Sequence, residues 1–316
     1  MERPVKNYRR VLPVRRKSVA LPPVNFFRAK PPQFRAPLIP AALAHINLAA
    51  AAEPRISAVD LSAQQIRLVA EAAPATSPSM TQVHLIGGEK GGVGKSVMSR
   101  AFAQYCIDRN IPFRGFDSDR SHGSFRRFYE AFAEHIELEN FQSLDRFAET
   151  ALQGENTQVL VDLAAQSSHS LRGWMDDTGV LDLFREAGVM VNCWHILDDG
   201  RDSLEMLGRL LEDFKTEVRY IVVLNHGRGA RFDAFHASAQ KQRALELGAK
   251  IIELPKLNES SMRLVDHSNS SFWSAVNAAE DGSQLLGMLD RQRVKVWLRK
   301  LYSELDTLGI GPASNS

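Results

Sequence analysis

Ten consecutive residues constrain this chain more than any others: Gly87-Gly88-Glu89-Lys90-Gly91-Gly92-Val93-Gly94-Lys95-Ser96. An apolar-leaning run, Val83 to Ile86, leads into them, and Val97-Met98-Ser99-Arg100-Ala101-Phe102 leaves them with helix character. A strand that turns through glycines into a helix start aims successive backbone N–H groups at one point, where the positive end of the helix also lies. Glycines suit such a loop because side chains would keep the backbone off an anion and because several positions need positive φ. In this order Gly91, Gly92, Val93 and Gly94 would line a phosphate chain, Lys95 would bridge the outer phosphates of a nucleotide, and the Ser96 hydroxyl would hold Mg²⁺.

The plain pattern G-x-x-x-x-G-K-[ST] calls for glycine at position 89, where this chain has Glu89. It has instead Lys90, ahead of Lys95 in the run K-G-G-V-G-K-S. That run resembles the deviant Walker A motif of the ParA/MinD family of dimeric ATPases, and the resemblance covers roughly residues 80–306. It implies ATP and Mg²⁺ as ligands and slow hydrolysis stimulated by a partner protein. It also implies a homodimer in the ATP-bound state, with Lys90 reaching across to the partner's nucleotide. Val97, which would also line the nucleotide, stands where the family usually has a hydroxyl residue, so one phosphate contact is missing from the pattern.

Composition limits the rest. The 316 residues allow one or two domains with a sizeable core, and 44% hydrophobic against 24% charged residues is ordinary for a globular protein. The net charge of +2 hides an asymmetry: residues 1–40 carry ten Lys/Arg against one acid, Glu2, and eight of the fourteen prolines. That stretch cannot bury enough apolar surface to offset its ordering, and its charge would suit an acidic partner or simply a solvated tail. No apolar run approaches the ~20 residues of a membrane span, and prolines and arginines interrupt any secretory signal. Cys106 and Cys193 are too few for a disulfide framework and read as reduced thiols in a bacterial cytoplasm.

The expected organisation is therefore a basic, Pro/Ala-rich extension over residues 1–80, an ATPase domain over 81–306 and a flexible tail over 307–316. Residues 41–52 are alanine-rich enough for a weak helix. Within the extension, Ser62-Ala63-Gln64-Gln65 fits a capping box with Leu61 and Ile66 as a staple, which predicts a short helix near 63–73. Short apolar runs at 81–87, 113–117, 157–162, 188–195, 218–224 and 250–253 read as strands, with amphipathic helical stretches between most of them. That alternation predicts an α/β fold, a mostly parallel sheet with helices on both faces, as in P-loop NTPases. Ligands of such sheets sit at the carboxyl ends of the strands, and the chemical residues fall there.

Asp117-Ser118-Asp119 closes one predicted strand, a position suited to metal and water handling beside a γ-phosphate. The alternative is two acids capping a helix that starts near Ser121. The family resemblance makes Asp119 the residue that handles the attacking water and Asp117 a support of the Mg²⁺ region, although Arg120-Ser121 replaces the family's Pro-Gln. Gln158 to Asp162 is an apolar strand ending in a carboxylate that would hold Mg²⁺, and Leu163-Ala164-Ala165-Gln166 lacks the family's switch II prolines. By resemblance Asn225 and Pro255 line the base pocket.

Residues 282–306 predict a long helix with an apolar stripe of Val294, Leu298, Leu301 and Leu305. Arg291, Lys295 and Arg299 form a basic row on another face, suited to nonspecific DNA or to solvent. Trp297 could pack on the sheet, and membrane attachment is the weaker option. The leading expectation is an ATP-dependent dimerising switch that positions or segregates DNA or another cargo, in plasmid partition, mobilisation or conjugative transfer. Such a protein would be cytoplasmic and could associate with the nucleoid. The alternative is an ATP-dependent metabolic enzyme of the same fold, of the cobyrinic acid or dethiobiotin synthetase type, against which Lys90 counts. An iron–sulfur ATPase would need better-placed cysteines.

Overall fold

A computed structural model describes residues 80–120, 123–268, 271–277 and 286–310. The expected helix at 63–73, the weak helix at 41–52 and nearly all of the N-terminal extension lie outside the described residues. Seven strands form one sheet: β1 (Gln82–Gly87), β2 (Phe113–Asp117), β3 (Ala133–His135), β4 (Gln158–Asp162), β5 (Met190–Leu197), β6 (Arg219–Asn225) and β7 (Lys250–Leu254). Their order is β3-β2-β4-β1-β5-β6-β7, and every neighbouring pair is parallel. β1, which feeds the glycine loop, lies in the middle, flanked by β4 and β5.

The helices among the described residues are α1 (Lys95–Asp108), α2 (Ser124–Phe128), α3 (Phe141–Gln153), α4 (Ser168–Thr178), α5 (Val180–Glu186), α6 (Arg201–Phe214), α7 (Asp233–His236), α8 (Ala239–Glu246), α9 (Glu259–His267), α10 (Phe272–Val276) and α11 (Met288–Asp306), the last three following β7. Alternate side chains of each strand point to opposite faces, so each strand feeds two cores. On one face Val83, Leu85, Val159, Val161, Tyr220 and Val222 pack with Phe147, Trp174, Phe184, Leu207 and Phe214 from α3 to α6. On the other, Ile86, Leu160, Trp194, Ile221 and Val223 pack with Met98 and Phe102 of α1 and with Val294, Leu298, Leu301 and Leu305 of α11. A sheet covered on both faces is why its strands read as nearly continuous apolar runs.

The six expected strands are all present. β3 is additional: Ala133-Glu134-His135 is an edge strand of three residues with no apolar alternation to announce it. The expected 282–306 helix begins within the described residues at Met288, because Gly287 takes extended dihedrals as its N-cap. The domain also runs past 306. Gly309 turns at φ 68°, Ile310 is buried against the α1–α11 core and Leu308 packs partly on it, so two of the residues expected in the flexible tail join the packing.

Candidate functional site

Gly94 shows why the loop is built as it is. It caps α1 in the left-handed region at φ 104°, and a Cβ there would fall inside the Asn225 amide. The following Lys95 is buried; its Nζ donates to Gly88 O at 2.9 Å and to Lys90 O at 2.8 Å, so the ammonium lies folded across the loop. Burial lowers its pKa, against the pull of the Asp162, Glu89 and Asp119 carboxylates.

Beside the loop a cleft of about 200 Å³ is lined by Gly91, Gly92, Gly94, Lys95, Ser96 and Val97, with Asp119 and Asp162 facing them. Asp162 is the unusual member. It is 2% exposed, and neither carboxylate oxygen meets a donor in hydrogen-bond geometry. Burial, reinforced by Asp117, raises its pKa to about 7; the nearby Ser96 and Ser99 hydroxyls and the Lys95 ammonium pull it back part of the way. Ser99 cannot serve it fully, because its hydroxyl donates to Lys95 O at 3.2 Å. A desolvated carboxylate left without donors is costly unless a cation comes to it. The pair Ser96 and Asp162 therefore fits a hard divalent ion. Among the described residues no cluster of three or more His, Cys, Asp or Glu could hold a metal alone. The donor set suits Mg²⁺, which takes one or two protein oxygens and completes its shell with water and phosphate.

Asp117 is placed differently. It stands opposite Asp162 in the register of β2 and β4, but its Oδ1 accepts the Asp119 N–H at 3.0 Å and its Oδ2 the Arg126 N–H at 2.9 Å. Its carboxylate thus ties the strand end to the first turns of α2, as the capping alternative requires, and any support of the metal region would act from behind Asp162. Between the two acids Ser118 forms a clamp. Its N–H donates to Asp162 O at 3.0 Å, and its Oγ accepts the Ala164 N–H at 2.8 Å. The segment after β4 is thereby tied to the segment after β2 by hydrogen bonds.

Next to the cleft beside the loop lies a second one of about 300 Å³, lined by Asn225 and Pro255 with Leu257, Met262 and Trp297. The Asn225 amide is largely committed to the fold: Nδ2 donates to Val93 O at 2.6 Å and Oδ1 accepts the Gly227 N–H at 2.9 Å. One amide hydrogen and one lone pair remain for a ligand. Trp297 is buried, packs at a tilt against Phe272 and donates to Pro255 O at 2.6 Å, so α11 forms one wall of this cleft. Lys295 and Arg299 are exposed on α11, while Arg291 is partly buried with its Nε lacking a partner.

Lys90 sits at the mouth of the loop, and its Nζ lies 2.8 Å from Asp198 Oδ2 just beyond β5. The Asp198 hydrogen bond raises the Lys90 pKa. Burial pushes the Asp198 carboxyl up, but Lys90, Ser203 and the Gly200 N–H outweigh it and hold the pKa below its ordinary value. Glu89 likewise has a partner: its Oε1 accepts the Ser168 N–H at 3.0 Å, at the first turn of α4. Glu89, Ser118, Asp198 and Arg228 were not identified as site residues from the sequence. Asp198 and Arg228 follow apolar strands β5 and β6, so the strand-end rule that located Asp119 and Asp162 applies to them as well.

No family model matches this chain. Among curated proteins, it is 25% identical over 250 residues to protein TraL of Escherichia coli, covering 73% of this chain and 100% of the relative. It is 24% identical over 181 residues to protein MobD of Acidithiobacillus ferrooxidans, covering 55% of this chain and 78% of that protein. Among solved structures, the MinD cell division protein of Aquifex aeolicus matches with a TM-score of 0.42 at 14% identity, over 71% of this chain and 97% of that one.

Proposed function

We propose, from a chain that is a P-loop protein of the ParA/MinD type, that it is an ATP-dependent dimerising switch. The observation that carries the reading is the cleft in which Lys95 and Ser96 meet Asp119 and the undonated Asp162 at the carboxyl ends of β1, β2 and β4. In this reading the backbone N–H groups of Gly91 to Ser96 bind the phosphates, and Lys95 turns from the Gly88 and Lys90 carbonyls toward them. Ser96 and Asp162 hold Mg²⁺, which when bound would neutralise charge on the phosphate oxygens. Asp119 orients the attacking water, and Asn225 and Pro255 border the base. Hydrolysis is slow because these groups are incomplete in one subunit: Lys90 serves the nucleotide of the partner.

The switch would act on DNA or another cargo, in mobilisation, conjugative transfer or partition, and the relatives named TraL and MobD favour the transfer branch. Basic residues of α11 offer a surface for DNA phosphates, with Lys295 and Arg299 exposed. The apolar stripe of α11 is spent on the core, which favours DNA over a lipid surface. No helix among the described residues is long and apolar enough to cross a membrane. A metabolic ligase of the same fold would have no use for Lys90.

The reading is tested by titrating ATP with Mg²⁺ against the full chain and its variants. Lys95→Ala is expected to lose nucleotide binding, and Asp119→Ala to bind nucleotide and hydrolyse it poorly. Unchanged ATP affinity in a folded Lys95→Ala protein would overturn the assignment. Loss of nucleotide from Asp119→Ala would move that residue to a metal or structural role.

A further inference from the structure

The two clefts described above share three residues, Gly94, Val97 and Arg228. A nucleotide that spans both must cross that seam with the phosphate nearest its ribose. Gly94 contributes only backbone there, and Val97 contributes a methyl surface where the family resemblance leads one to expect a hydroxyl. Arg228 is the charged member. Its side chain is exposed and makes no ion pair among the described residues.

The backbone beneath Arg228 is held firmly. The Arg228 and Gly229 N–H groups donate to Asn225 O at 3.0 and 2.9 Å, and the Gly227 N–H donates to the Asn225 side chain. From the other side, the Ala230 N–H donates to Asp199 Oδ2 at 2.8 Å. The turn after β6 thus places a long cation at a fixed point on the rim of both clefts. A guanidinium is the side chain best shaped to fork onto phosphate oxygens.

We propose that Arg228 binds the α-phosphate of the nucleotide and stands in for the hydroxyl that Val97 lacks. This rests on the nucleotide reading of the same site and adds a residue to it. A contact at the α-phosphate is common to ATP and ADP, unlike one at the γ-phosphate. Arg228→Ala should therefore weaken both ligands by a similar factor, roughly tenfold to a hundredfold for one charge-assisted pair. Restoring the hydroxyl should recover part of that loss.

The test is calorimetric titration of ATP and ADP with Mg²⁺ into the full-length parent, Arg228→Ala, the double variant Arg228→Ala with Val97→Thr, and Lys95→Ala. The expected result is an equal loss for both nucleotides in Arg228→Ala and a partial return in the double variant. Parent-like affinity in Arg228→Ala, a loss confined to ATP, or no return in the double variant overturns the proposal. If Lys95→Ala loses nucleotide while Arg228→Ala does not, the site stands and the role of Arg228 falls. If neither loses nucleotide, the nucleotide reading itself fails.

Discussion

Lys90 and Asp198 form an ion pair within one subunit, Nζ to Oδ2 at 2.8 Å. Asp198 is itself fixed, accepting from the Ser203 hydroxyl at 2.6 Å and from the Gly200 N–H at 3.1 Å. The lysine that the proposed dimer offers to its partner is therefore parked on its own subunit, at the end of β5. A partly exposed pair of this kind is worth about 1 kcal/mol or less, which a partner's triphosphate can outbid.

Replacing Asp198 by the isosteric Asn should release Lys90 without emptying the space. Half-dimerisation with a slowly hydrolysed ATP analogue is then expected at a protein concentration several-fold lower than for the parent, by analytical ultracentrifugation. Weaker dimerisation in Asp198→Asn would mean that Asp198 presents Lys90 for work instead of holding it back.

Gly94→Ala would combine a positive φ with a side chain driven into the Asn225 amide. The expected result is loss of nucleotide binding together with at least 1 kcal/mol of stability. Titration with a fluorescent nucleotide and a denaturant melt measure both. Parent-like binding would show that the loop has room that its packing denies.

Glu89→Ala removes the acceptor of the Ser168 N–H and a negative charge from the first turn of α4. Lost caps of this type cost about 1 kcal/mol. Amide exchange at Ser168 should accelerate several-fold while α1 stays protected. Unchanged exchange there would remove Glu89 from any link between the loop and α4.

Two buried histidines should stay neutral far into acid. Trp194 Nε1 donates to His84 Nδ1 at 3.0 Å, which leaves Nε2–H to donate to Gln158 Oε1 at 2.8 Å. Burial lowers the His84 pKa to about 4 and that of His195 to about 4. Because the unfolded chain takes up these protons below about 6.5, each ring alone favours the fold above that pH. Its contribution, on the order of 3 kcal/mol, is lost as pH falls toward 4. Asp162 runs the other way: its raised pKa costs the fold stability as pH climbs from about 4 to about 7, so the net profile is flatter than either alone. Imidazole ¹⁵N shifts recorded against pH should give midpoints near 4 for both rings. Midpoints near 6.5 would show that water reaches them.

What the sequence makes legible follows from local physics. β4 and β6 are announced by apolar runs, and the loop by glycines and lysines whose order is demanded by a phosphate chain. Asp162 stands out because it closes an apolar strand, where such sheets bind ligands, whereas Asn225 is singled out only by the family resemblance. β3 is hidden because three residues on a sheet edge need no apolar pattern. The pairs Lys90–Asp198 and Glu89–Ser168 join residues far apart in sequence, and no local periodicity records which carboxylate a lysine will meet. Asp117 shows what a motif leaves out: each of its carboxylate oxygens accepts a backbone N–H, from Asp119 and from Arg126, and no local pattern announces those bonds.

Sedimentation velocity of Lys90→Ala beside the parent, each with Mg²⁺ and a slowly hydrolysed ATP analogue, separates a dimerising switch from a monomeric enzyme. The parent is expected to pass from monomer to dimer on adding nucleotide. The variant should bind the nucleotide with parent-like affinity and remain a monomer, because Lys90 lies at the loop's mouth and serves the other subunit. A Lys90→Ala protein that dimerises and hydrolyses ATP like the parent would show that Lys90 is only a loop lysine, with no part in the partner's site.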